Sequence, residues 1–217
     1  MSIKENLHKI KTQLPEDVKL VAVSKTKPIS DLMQAYNEGQ RMFGENRVQE
    51  MAEKFEKMPK DIEWHAIGHV QRNKVKFMAE FVSLVHSVDS PRLLKELNKQ
   101  AKSHNRTIDC LLQIKIAEED SKYGLDDQEA QNILTSESFK NMENINVVGV
   151  MGMATFTDDQ NQVKSEFDYL KSVFDKLKKI HPNLEILSMG MSGDYETAID
   201  SGSNMIRVGS NIFGARD

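Results

Sequence analysis

The stretch "LVAVSKTKP", Leu20 to Pro28, runs through four apolar residues and ends on Ser24 and Lys25. Strand alternation puts Val21, Val23 and Lys25 on one face. A lysine usually lies on a solvated surface. At the end of a buried strand it is partly desolvated, which favours the neutral amine, and a neutral amine adds to a carbonyl to form a Schiff base. Two further turns suit a phosphate. "MSGDYETAI" sets Ser192-Gly193 just before a helix, and "VGSN" sets Gly209 and Ser210 after a strand. Glycine admits close backbone approach, while hydroxyls and helix-terminal N–H groups donate to oxyanions. Either turn alone reads as an ordinary tight turn. Arg207 lies mid-strand among apolar neighbours, on one face with Met205 and Gly209. A buried arginine needs a partner, here a strand-end carboxylate such as Glu45 or a ligand. No metal site is expected. His65 and His69 are four apart in a strand-to-loop stretch, and HExxH, GxSxG, P-loop and CxxC patterns are absent. The acidic run "AEEDSKYG" lacks EF-hand spacing.

The elements that must position these groups alternate. Ile3, Leu7, Ile10 and Leu14 mark an N-terminal helix. "VKLVAVS", "RMFGEN", "IEWHAIG", "VSLVHSV", "IDCLLQIKI", "INVVGVMGM", "LEILSMG" and "MIRVGSNIFG" read as strands. Between them lie "ISDLMQAYNEG", a helix striped by Val48, Met51, Ala52 and Phe55, "NKVKFMAEF", a helix capped by Ser90 and Pro91, a broadly helical Asp126 to Met142, a long helix from about Asp158 to Ile180, and "DYETAIDSG". Eight strands and eight helices predict an α/β fold, a single (β/α)8 TIM barrel with an extra N-terminal helix, as one domain over 1–217. The competing doubly wound sheet carries a Gly-rich first turn when it binds nucleotides, and "SKTKP" has no glycine.

In such a barrel function sits at the C-terminal strand ends, and phosphate is often bound after strands 7 and 8. Those ends carry Lys25, Asn46, His65, His86, Lys115, Met153, Met189, Ser192 and Arg207. A lysine at one edge of the mouth with a phosphate cradle across from it suits a ligand having both an aldehyde and a phosphate. Pyridoxal 5′-phosphate has both, and so does the phosphorylated sugar of a Schiff-base aldolase, so this pattern leaves the two open.

Bulk properties narrow the class. The chain has 217 residues, 39% hydrophobic and 29% charged, with a net charge of −4. Without a basic cluster, nucleic acid is not expected as a partner. Cys110 stands alone in "IDCLLQI", which excludes a disulfide framework and fits a reducing compartment. No secretory leader is expected in "MSIKENLHKI", and no apolar run reaches the roughly 20 residues of a membrane span. A cytoplasmic protein is expected.

"VAVSKTKP", "FGENRVQE", "WHAIGHVQRNK", "HSVDS", "EEDSKYG", "GVMGMATF" and "LSMGMSGDYETAIDSGSNMIRVGSNIFG" together resemble the YggS/PROSC family of pyridoxal-phosphate-binding proteins, from about Leu20 to Arg216. The resemblance implies the fold-type III barrel shared with the N-terminal domain of alanine racemase. It implies that Lys25 holds the cofactor as a Schiff base and that Ser192, Gly209 and Ser210 hold its phosphate. Arg207 would lie at the pyridine nitrogen, with Asn46, His65 and Met189 lining the pocket. Lys122 of "DSKYG" corresponds to a second family lysine associated with cofactor transfer. Where the family usually reads "IGPLQ" this chain reads "IGHVQ", so the loop after strand 3, with His69 and Val70, is expected to depart from the family.

An arginine at the pyridine nitrogen leaves that nitrogen unprotonated and the ring a weaker electron sink. Racemases of this fold offset this with a tyrosine from a separate β-domain, and a C-terminal β-domain is not expected here. The resemblance therefore implies a cofactor homeostasis protein, binding, storing or delivering pyridoxal phosphate to apo enzymes, monomeric, with no catalytic residues assigned. A low-activity amino-acid racemase is the alternative.

Overall fold

The computed structural model describes residues 2–118 and 123–215. Lys122 lies outside them. Eight parallel strands close into a barrel in chain order: β1 (Lys19–Val23), β2 (Met42–Glu45), β3 (Glu63–Ala66), β4 (Val82–Val88), β5 (Ile108–Gln113), β6 (Ile145–Met151), β7 (Ile186–Ser188) and β8 (Met205–Val208). Closure is made by β1, which pairs Ala22 with Phe43 of β2 on one side and with Val208 of β8 on the other. The helices are α1 (Ile3–Gln13), α2 (Ile29–Asn37), α3 (Val48–Lys57), α4 (Pro91–Ser103), α5 (Asp127–Thr135), α6 (Glu137–Lys140), α7 (Gln160–Ile180), α8 (Tyr195–Asp200) and α9 (Ser210–Phe213).

Strand alternation sorts the side chains into two layers. The outward set, including Ala22, Phe43, Trp64 and Leu112, packs under the helices with Leu7, Leu32, Leu94, Phe167 and Leu170. The inward set, Val21, Leu84, Leu111, Met151 and Met205, fills the barrel. Helix ends follow their caps. Ser2 and Glu5 form a capping box on α1, Ser90 accepts from Leu93 N ahead of Pro91, and Asp159 accepts from Asn161 N and Gln162 N to start α7.

Three elements differ from the sequence pattern. "NKVKFMAEF" forms only a 3-10 turn over Arg72–Phe77, held by bonds such as Lys74 N to Gln71 O. The broad helix after Asp126 is two helices, because Ser136 takes an extended ψ of 142° and its hydroxyl accepts from Phe139 N to start α6. The last strand stops at Val208. The Gly209 carbonyl then accepts from Ile212 N and Phe213 N, winding "SNIF" into α9.

Candidate functional site

The C-terminal ends of the strands surround a cavity of about 610 Å³. Lys25, Asn46, Ser192, Arg207, Gly209 and Ser210 line it, as do Val23, Gln113, Tyr123, Met153, Phe156 and Met191. Lys25 sits half-buried in the turn after β1. The two candidate phosphate turns are its neighbours and do not lie across the mouth, because β8 is hydrogen-bonded to β1. A Cβ built on Gly209 would lie 3.1 Å from the Val23 carbonyl oxygen, so the two strand ends approach as closely as glycine allows. Ser192 Oγ accepts from Gly209 N at 3.2 Å, joining the turn after β7 to the turn after β8. That first turn depends on Gly190, whose φ is +96°. A Cβ there would meet the Ala198 Cβ at 2.7 Å. The Gly190 carbonyl accepts from Arg207 N at 3.0 Å.

Arg207 is only 3% exposed. The sequence left it a carboxylate or a ligand as partner. Its guanidinium donates to Ser188 Oγ at 2.6 Å and to the Gly152 carbonyl at 3.0 Å, both uncharged. Glu45 is engaged elsewhere. Burial lowers the Arg207 pKa to about 10, the negative charge of Asp194 acting the other way. Asp194 also lines the cavity, with Oδ1 turned back to accept from Met191 N.

His65 and Met189 are not among the lining residues. Met189 is fully buried in the outer layer beneath the helices. His65 lies inside the barrel, its Nδ1 3.0 Å from His86 Nε2, and His86 Nδ1 is 3.1 Å from Ser188 Oγ. A chain of polar groups thus runs inward from the cavity: Arg207, Ser188, His86, His65. Burial is the main cause that lowers His65 to about 3, with the Lys19 charge adding to it. Burial also holds His86 well below the ordinary value, with His65 and Arg207 contributing. Both imidazoles are neutral at physiological pH.

Behind the Lys25 turn lies a second polar cluster, on the outward face. The buried Lys54 ammonium of α3 donates to the Ser24 carbonyl at 2.8 Å, Glu45 Oε1 at 2.7 Å and Glu50 Oε1 at 2.7 Å. Ser24 Oγ donates to Glu45 Oε1 at 2.6 Å, and Glu50 Oε1 accepts from Thr26 N at 2.6 Å. Burial raises the Glu45 pKa, opposed by Lys54. Its Oε2 is buried with no hydrogen-bond partner among the described residues. The apolar stripe read along α3 misses Lys54, because Ala52 and Phe55 are only half-buried while Lys54 is buried.

The loop after β6 brings Met153 and Phe156 to the mouth. It is pinned by Glu166 of α7, whose carboxylate accepts from Thr155 N and from Thr155 Oγ1, both at 2.6 Å. Phe156 is 96% exposed and Tyr123 66%. The sequence signalled neither residue, nor Gln113, whose amide donates to the Tyr123 carbonyl at 2.8 Å. Among the described residues no three His, Cys, Asp or Glu side chains are placed to hold a metal, and no helix is long and apolar enough to cross a membrane.

The lining groups fit a ligand carrying an aldehyde and a phosphate. A lysine and two glycine–hydroxyl turns share one wall of the cavity with a buried guanidinium whose hydrogen bonds go to the uncharged Ser188 and Gly152. A Cβ on Gly193, beside Ser192, would meet no atom within 4 Å, so the turn is open there.

The chain is similar to known proteins over its full length. The family model "Alanine racemase, N-terminal domain" matches residues 1–217. A pyridoxal phosphate homeostasis protein of Pasteurella multocida is 38% identical over 232 residues, covering 100% of this chain and 99% of its own. That of Escherichia coli K12 is 36% identical over 210 residues, covering 94% and 88%. The solved structure of PipY from Synechococcus elongatus PCC7942 with pyridoxal phosphate bound superposes with a TM-score of 0.89 at 33% identity, covering 98% of this chain and 100% of PipY. An alanine racemase from Clostridium difficile 630 shares the fold, with a TM-score of 0.80 at 19% identity over 60% of that chain.

Proposed function

Because the chain belongs to the pyridoxal phosphate homeostasis family, built on the barrel of alanine racemase N-terminal domains, we propose that it binds pyridoxal 5′-phosphate through Lys25 and stores or delivers it in the cytoplasm, as a monomer. The observation that carries this reading is the single cavity wall shared by Lys25, the Ser192 and Gly209-Ser210 turns, and Arg207. Pyridoxal 5′-phosphate supplies an aldehyde that a primary amine captures and a phosphate that anchors it. Lys25 provides the amine. Ser192 and Ser210 would offer hydroxyls to the phosphate, and the Gly209 N–H would join them on giving up its bond to Ser192 Oγ.

Arg207, held by Ser188 and the Gly152 carbonyl, would be the cation nearest a bound ring, and a guanidinium at the ring nitrogen would leave that atom unprotonated. A site so arranged holds the cofactor well and draws electrons poorly, which favours a carrier over an amino-acid enzyme. His65 would act behind the wall through His86 and Ser188, and Asn46 would line the cavity, whereas Met189 packs in the outer layer. Recipients are apo enzymes that use the same cofactor. Reduction with borohydride should fix the cofactor to Lys25, identified by peptide mapping, and Lys25→Ala should lose the visible absorption band. A Lys25→Ala protein that kept the band would overturn the assignment.

The racemase alternative needs a second base, and Tyr123 is the phenol on the lining. Its exposure suits it poorly, since general acid–base work calls for a positioned group in hydrogen-bond reach of the proton. Exchange of the alanine Cα proton in D₂O, abolished by Tyr123→Phe, would establish that reading instead.

A further inference from the structure

Both peptide groups that flank Lys25 are tied to the same side-chain cluster, buried at Lys54 and Glu45 and part-exposed at Glu50. The peptide before it, Ser24–Lys25, is held by its carbonyl, which accepts from Lys54 Nζ at 2.8 Å. The peptide after it, Lys25–Thr26, is held by its N–H, which donates to Glu50 Oε1 at 2.6 Å. Lys54 and Glu50 are joined to each other at 2.7 Å. Glu45 anchors the pair from the neighbouring strand, accepting from both Lys54 and the Ser24 hydroxyl. Thr26 has a φ of +65°, a left-handed conformation that a β-branched residue adopts only when its surroundings impose it. Backbone held at both ends fixes the direction in which the Lys25 side chain leaves the chain. Neither Lys54 nor Glu50 lines the cavity.

We infer that Lys54, Glu50 and Glu45 form a clamp that positions Lys25, so that its amine meets the aldehyde in a reactive orientation. They are positioning residues, and the inference rests on the reading of Lys25 as the cofactor lysine. A displacement of about 1 Å at a reacting group can cost on the order of a hundred-fold in rate.

The test compares wild type, Glu50→Ala and Glu50→Gln. Glutamine keeps an oxygen that can accept from Thr26 N. Each protein is mixed with pyridoxal 5′-phosphate, and formation of the Lys25 adduct is followed by stopped-flow absorbance across cofactor concentrations. Amide hydrogen exchange at Thr26 is measured on the same proteins without cofactor. In Glu50→Ala the limiting rate should fall about ten- to a hundred-fold. The half-saturating concentration should stay nearly constant and Thr26 exchange should accelerate. Glu50→Gln should restore most of both. An unchanged limiting rate with accelerated Thr26 exchange overturns the positioning role, and unchanged exchange overturns the clamp itself. If wild type forms no adduct at Lys25, the cofactor reading fails, and the exchange data still judge the clamp.

Discussion

Lowering the pH should destabilise this barrel through two histidines that cannot take up protons without unfolding. His65 and His86 are buried, bonded to each other, and neutral. His65 is lowered from 6.5 to about 3, and His86 lies well below 6.5. Both ionise normally once the chain unfolds. A depressed folded pKa gives stability that is fully present above 6.5 and is lost as pH falls from there toward the folded value. Between about pH 7.5 and about pH 5.5 a histidine that stays neutral in the folded chain forfeits on the order of 1 kcal/mol, and the pair on the order of 2–3 kcal/mol. That is a large part of a total of about 5–15 kcal/mol. Glu45 acts in the opposite direction: its folded pKa is raised, so its contribution is present at low pH and lost as pH rises. Urea unfolding of ligand-free protein at several pH values in this window measures the slope directly. His86→Gln should remove about half of it, whatever the substitution does to absolute stability. Stability that stays flat down to about pH 5.5, or a His86→Gln protein that keeps the full slope, refutes the neutral buried pair.

Other substitutions test other parts of the molecule. Lys54→Met should cost about 3–5 kcal/mol in urea unfolding, because it strands the buried Glu45 carboxylate, and adding Glu45→Gln should recover part of that loss. Gly190→Ala should destabilise by more than about 1 kcal/mol, since φ is +96° and the new methyl would overlap Ala198; a neutral result in thermal unfolding would contradict the turn geometry. Ser188→Ala should cost about 1–3 kcal/mol in urea unfolding, because it leaves Arg207 and His86 each short of a buried partner, and should loosen Arg207, seen as weaker cofactor retention on dilution, whereas unchanged retention would show that the Gly152 carbonyl holds the guanidinium alone.

Much of this was legible in the sequence for a simple reason. Parallel strands buried on both faces announce themselves as apolar β-branched runs, and the alternation with helices is what counts eight units toward a barrel. Lys25, Arg207 and the glycine–hydroxyl turns stood out because their types clash with those runs. What stayed hidden depends on pairing between distant segments. Only closure of β8 onto β1 reveals that the Ser192 and Gly209 turns flank Lys25. His65 points into the barrel by ordinary alternation between Trp64 and Ala66, but Ile67, two residues on, is the side chain that reaches the cavity, so His65 lies a layer deeper against His86. Met189 follows the same alternation: Ser188 points inward to His86 and Arg207, so Met189 packs outward with Leu187. Lys54 was invisible because a lysine on a helix reads as solvated until the carboxylate behind it is located.

The seam between β1 and β8 gives the cavity a temporal property. Lys25 follows the first strand of the barrel, whereas Arg207, Gly209 and Ser210 belong to the last. A nascent chain emerging from the ribosome has its lysine early and acquires the anion-holding turn only after β8 has been made and has docked. On the proposed reading, capture with retention would be reserved for the finished barrel, and a ligand held by both Lys25 and the turn after β8 would fasten the β1–β8 seam.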